Sequence, residues 1–97
     1  MIRPKFEWDD KKNAENKRKH GVSFEEAKTV FFDENAIEYF DPDHSDQEDR
    51  FLLLGVSAHT RTLVVCYCHR QAHSVIRIIS ARKADSGEEK DYQEVIQ

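Results

Sequence analysis

The sequence predicts an α+β domain, an antiparallel sheet of about four strands with two helices before it and one after. Three observations carry that prediction. Helix start and stop signals cluster at both ends of the chain, and three apolar, β-branched runs follow one another between them. The connections between those runs are short enough for hairpins. In 97 residues there is no internal repeat, low-complexity tract or Pro/Gly-rich linker, so residues 1–97 read as one unit.

Phe6-Glu7-Trp8 alternates apolar and polar and fits a short edge strand. Asp9 or Asp10 caps a helix running to about His20, where Gly21 supplies the left-handed turn that ends helices. This helix has almost no apolar stripe beyond Ala14, so it should lie on the surface, anchored through Phe6 and Trp8. Ser23-Phe24-Glu25-Glu26 reads as a capping box, in which serine and glutamate each satisfy an orphan amide of the other. The helix it opens runs to about Phe32, with Phe24, Ala27, Val30 and Phe31 toward the core.

A strand over Ala36–Phe40 leads into an acidic loop, Asp41–Asp49, opened by Asp-Pro. Arg50–Val56, Thr62–Arg70 and Ser74–Ala81 then read as three consecutive strands. All three are apolar on both faces, as in a sheet covered on one side and partly on the other. Ser86-Gly87-Glu88-Glu89 offers a second capping box, opening a helix through about Val95.

Apolar stretches such as Phe51–Val56 fall far short of the roughly 20 residues that span a bilayer. No charged-then-apolar leader precedes a cleavage signal, and Cys66 and Cys68 stand two apart on one predicted strand face, a poor disulfide geometry. The expectation is a reduced, cytoplasmic protein without membrane contact. The net charge of −4 argues against a generic nucleic-acid binder, but the charge is unevenly spread. Residues 25–49 hold ten acidic side chains and one basic, while residues 50–85 hold six basic and one acidic. Residues 1–24 are mildly basic through Lys11–Lys12 and Lys17–Arg18–Lys19. Such a chain can still present a positive face, or carry only solvated faces with no ligand.

Few chemical motifs survive inspection. The acidic loop (Asp41, Asp43, Asp46, Glu48, Asp49) lacks the glycine and the bidentate glutamate of a calcium loop. Cys66, Cys68, His69 and His73 make a poor zinc set, because alternation turns the thiols and His69 to opposite faces. There is no phosphate-cradling glycine loop and no serine elbow, so no nucleotide cofactor is implied. What remains is arginine on strands: Arg50 opens one, Arg70 ends the next, and Arg77 lies within Val75–Ile79, with Arg82 and Lys83 just beyond. One reading is a structural ion pair for Arg77, with Glu48 or Glu38 as partner. The other is a phosphate site, for which the planar, always-charged guanidinium is suited. His20 either complements its helix dipole or moves protons, and His69 has the same two readings. Tyr67 and Tyr92 serve as core residues or as hydroxyl donors and stacking platforms.

Two blocks go further. Phe6-Glu7-Trp8-Asp9, Lys12, Asn16 and Lys19 through Ala27 resemble the opening of the BrnT toxin family. Glu48, Arg50, Gly55, Leu63-Val64-Val65, Tyr67 and above all Ile76 through Ala84, with Glu89 and Tyr92, continue the pattern in order. The resemblance implies a RelE-like fold and an endoribonuclease toxin that arrests translation. It implies a BrnA-like ribbon-helix-helix antitoxin as partner, with operator DNA reached only through that antitoxin. It places Arg50, Arg77, Arg82, His20 and Tyr67 at catalytic positions, in a metal-independent attack of a 2′-hydroxyl on the adjacent phosphate. Arg61, Arg70, Lys83 and His69 are expected to extend the RNA contact. Cys68-His69 and Asp85 depart from the family pattern, which leaves the general base unassigned. A module that binds RNA or co-represses without turnover is the alternative.

Overall fold

The computed structural model describes residues 4–45 and 47–96, and Asp46 of the acidic loop lies outside them. The elements are β1 (Lys5–Glu7), α1 (Asp10–His20), α2 (Phe24–Thr29), β2 (Ile37–Asp41), β3 (Arg50–Val56), β4 (Thr62–Arg70), β5 (Val75–Lys83) and α3 (Ser86–Ile96). Short 3-10 turns follow α2 at Val30–Phe32 and β2 at Pro42–His44. The α+β class and the three helices agree with the sequence reading. No helix among the described residues is long and apolar enough to cross a membrane.

The sheet corrects that reading in two ways. It has five strands, ordered β1-β5-β4-β3-β2, and β1 runs parallel to β5 through Lys5↔Val75, Phe6↔Ile76 and Glu7↔Arg77. The sheet is therefore mixed. A three-residue strand carries too little alternation to declare a partner some 70 residues away. The β3–β4 and β4–β5 pairings are the antiparallel hairpin ladders expected from the short connections, and β2 joins β3 antiparallel across the acidic loop.

Because residues alternate, each central strand contributes to two apolar layers. On one face Leu53, Leu63, Val65, Tyr67, Ile76, Ile78 and Ala81 pack against Val22, Phe24, Ala27 and Val30 from the helical side. Phe6 and Trp8 close this layer with edge-on contacts to Phe31 and Phe24, the anchoring foreseen for the start of α1. On the other face Leu54 and Val64 pack against Tyr92 of α3, with Leu52, Val56 and Ile37 around them. The α3 contact covers only one end of that face.

The caps confirm some signals and shift others. Asp9 accepts from the Lys11 and Lys12 amides, and Gly21 at φ +68° donates to the Lys17 carbonyl. Ser23 accepts from the Glu26 amide, but the Glu26 carboxylate turns to Arg61 and Ser57 instead of completing the box. The box at α3 lies one residue earlier than its serine signal: the Glu88 amide donates to Asp85, and the Asp85 amide donates to Glu88.

Two further features set where the arginines of β5 stand. The β4–β5 ladder runs Cys66↔Ser80 and then Tyr67↔Ile78, leaving Ile79 as a bulge. In a regular strand Arg77 and Arg82, five apart, would face opposite sides; the bulge turns them to the same one. Beyond the end of β1, the free edge of β5 is met by Asn16 of α1. This buried side chain donates to the Ala81 and Val22 carbonyls and accepts from the Ala81 amide.

Candidate functional site

The half of the second sheet face that α3 leaves open carries the cations. Register places Arg50 of β3 and Arg77 of β5 on either side of Cys68 of β4. Strand spacing of about 4.8 Å puts the two arginine backbones about 10 Å apart. Cys68 is buried, so the floor between them is low. Leu52, Cys66 and Ser80 form the next row, about 7 Å along the strands, and Arg82 stands beside Val64 one row beyond. Small residues at Cys66 and Ser80 leave a cleft of about 70 Å³, whose rim includes His20 and Arg82.

Every one of these guanidinium groups is matched by a carboxylate. Arg77 Nη1 lies 2.8 Å from Glu7 Oε2, the side chains about one-third exposed. Arg82 grips Glu88 with both Nη atoms, at 2.7 and 2.9 Å. Glu48 sits between Arg50 and Arg70, at 3.7 and 3.5 Å. The hydrogen bond from Arg82 holds the Glu88 carboxyl below the ordinary carboxylate range. Arg50 is the least satisfied, because its Nε is buried and has no hydrogen-bond partner. Burial pushes the Cys66 and Cys68 thiols up, so neither is prepared as a thiolate nucleophile.

The structure thus brings Arg50, Arg70, Arg77, Arg82 and His20 onto one face. It does not bring the remaining sequence candidates there. Tyr67 is buried on the helix-covered face, where its hydroxyl donates to Glu38 and its ring stacks on Phe51. His69 shares that face, packed edge-on against Phe51 and Tyr67 and 4.7 Å from His73. Arg61 is committed to Glu26 and the Gly21 carbonyl, a link between the start of β4 and α2. Lys83 is exposed and pairs in register with Leu63, whose side chain belongs to the helix-covered layer. The partners suggested for Arg77 are also corrected, since Glu7 holds it while Glu48 and Glu38 serve others.

Sequence reasoning missed Glu7 and Glu88 as partners and Asn16 as the strap. Only the Glu88 pairing had a local signal, since Arg82 and Glu88 flank the start of α3 six residues apart. Among the described residues no group of three or more His, Cys, Asp or Glu side chains is placed to hold a metal ion. Cys66 and Cys68 lie on the cationic face, His69 on the opposite one.

A family model described as the ribonuclease toxin BrnT of a type II toxin–antitoxin system matches residues 8–88. Among solved structures, the 1.1 Å crystal structure of the Brucella abortus ribonuclease toxin BrnT is similar, with a TM-score of 0.65 at 21% identity. The match covers 87% of this chain and 100% of that one. At that identity the likeness is one of fold. No curated protein matches the chain.

Proposed function

The chain belongs to the BrnT family of ribonuclease toxins of type II toxin–antitoxin systems, and on that premise we propose that its open cationic sheet face cleaves RNA. Membership implies an antitoxin partner. We take that partner to be a BrnA-like ribbon-helix-helix protein that also supplies operator binding, a division in keeping with this chain's net charge of −4. The RelE-like layout is likewise ascribed to the chain from the family resemblance.

The observation that carries the reading is that Arg50, Arg77 and Arg82 share the sheet face whose floor is Cys66 and Ser80, with Arg82 lining the cleft there. A phosphodiester resting there has Arg50 and Arg77 one row to one side and Arg82 to the other. The 2′-oxygen attacks the adjacent phosphorus as its proton passes to His20 at the rim. The phosphorus–5′-oxygen bond then breaks, and the leaving oxygen takes a proton from water. The products are a 2′,3′-cyclic phosphate and a 5′-hydroxyl. Arginines suit the step because they stay charged and their forks match the developing negative oxygens. Tyr67 and His69, on the other face, take no part in this step.

The test is purified protein on a defined RNA under RNase-free conditions, with EDTA present, and mapping of the new ends. Arg77→Ala and Arg82→Ala are each expected to lower the rate about 100-fold or more while the circular dichroism spectrum is retained. Unchanged rates in both folded variants overturn the site. The carboxylate held by each arginine favours one second reading, a face that binds RNA without turnover. That reading predicts salt-sensitive binding and no new ends from the wild type.

A further inference from the structure

The lysines and the arginine of α1 take no part in the cleavage step, yet the helix lies alongside the face that carries it. Asn16 straps α1 to the free edge of β5 at Ala81. The helix starts just after Glu7, which holds Arg77, and ends at His20, which shares the cleft with Arg82. Its eleven residues span about 16 Å at 1.5 Å each, and the four ladder steps from Arg77 to Arg82 span about 13 Å along β5. The two therefore run side by side for the whole length of the cationic face.

The flanks of α1 divide cleanly. Asn13 accepts from the Phe24 amide and donates to Glu25, so the Asn13–Lys17 flank faces α2 on the covered side of the sheet. Residues three and four apart share a helix face, which places Lys12, Glu15 and Lys19 on the flank turned to the open side. Lys12 and Lys19 are both exposed, and Glu15 between them leaves the flank net positive. The far side of the same face has the opposite sign. There stand Asp43 and Asp49 on the loop after β2, with Glu89, Asp91 and Glu94 against Lys90 on α3. A polyanion entering this face is drawn toward α1 and repelled by α3.

We infer that the Lys12–Lys19 flank of α1 is the second wall of the RNA site, holding phosphates on either side of the scissile one in a single-stranded substrate. The inference rests on the cationic face being the RNA site and extends that reading to the path of the strand. Unpaired RNA is specified because in-line attack by the 2′-oxygen needs a backbone free to splay, which a duplex restrains.

The experiment measures binding of a fluorescein-labelled 2′-O-methyl uridine 12-mer, which cannot be cleaved, by anisotropy across a salt series. Each phosphate contact on a single strand contributes about 0.7 to the slope of log affinity against log salt. The double variant Lys12→Ala/Lys19→Ala is expected to lose about 1.4 of that slope. Arg18→Ala, on the outer side of the helix, is expected to keep the wild-type slope, and Arg77→Ala to lose about 0.7. Annealing the 12-mer to its complement is expected to weaken binding. If the lysine variant keeps the slope while Arg77→Ala loses it, the second wall is wrong and the cationic face stands. If Arg77→Ala also keeps it, the cationic-face reading itself fails. Loss of slope in Arg18→Ala equal to that of a single lysine contact overturns the assignment of one flank.

Discussion

Asn16→Leu removes the strap between α1 and β5 while keeping the same branched outline. Three hydrogen bonds disappear: the amide group's bonds to the Val22 and Ala81 carbonyls, both 2.8 Å, and the Ala81 amide's bond to Asn16 Oδ1 at 3.1 Å. The site is buried, so water cannot replace them. At about 1 kcal/mol net for each bond, the loss is about 3 kcal/mol, a large part of the roughly 5–15 kcal/mol typical of a domain. For a chain of this length that corresponds to a fall in Tm of about 12–24 °C. Asn16→Asp keeps the acceptor for the Ala81 amide but sets a carboxylate oxygen against two carbonyls, so it should be at least as damaging at neutral pH. Urea titrations followed by circular dichroism measure both. A leucine variant within about 0.5 kcal/mol of wild type would show that α1 is held by something other than this side chain.

Three other outcomes are expected. Arg61, and secondarily Ser57, hold the buried Glu26 carboxyl below its ordinary 4.5. Its contribution is therefore complete above that pH and lost as pH falls through the lower folded value; Glu26→Gln should flatten the acid limb of a stability-against-pH curve and lower stability at pH 7. Gly55→Ala places a methyl 2.9 Å from Asp33 Oδ2 and Val30 Cγ1 and 3.1 Å from Ala36 Cβ, and is expected to cost about 1–3 kcal/mol in urea unfolding. Glu88→Gln keeps an acceptor for the Asp85 amide but releases the charge on Arg82; the expected result is tighter binding of the uncleavable 12-mer, with stability lowered by no more than about 1 kcal/mol because the pair is partly exposed.

Much of this fold was legible because its signals are local. The starts and ends of β3 and β4 coincide with the apolar runs at Arg50–Val56 and Thr62–Arg70, and Asp9 and Gly21 bracket α1 as their chemistry requires. The start of α3 moved by one because Asp85 caps better than Ser86 once Glu88 reaches back to its amide. Alternation also contained information that the catalytic grouping set aside. If Cys66 and Cys68 face one way, Tyr67 and His69 must face the other, and they do. What was not legible depends on distance along the chain. Glu7 reaches Arg77 across 70 residues, and Asn16 reaches Ala81 across 65. Neither partner leaves a mark in its own neighbourhood.

Ile79 makes the spacing of two cations odd in sequence and even in space. A ladder counts in twos, so smoothing out that one irregularity without deleting a residue would slip one half of β5 against β4. Ala81 would exchange sides with Arg82, and a guanidinium would be driven under the helices. The apolar pair Ile76 and Ile78 before the irregularity, and Ala81 clasped by Asn16 after it, oppose that slip from both directions. Parity is thus what the strand protects. A single-residue insertion or deletion in the second half of β5 that left the Ile79 bulge in place should scatter the cationic face even where it leaves the chain able to fold.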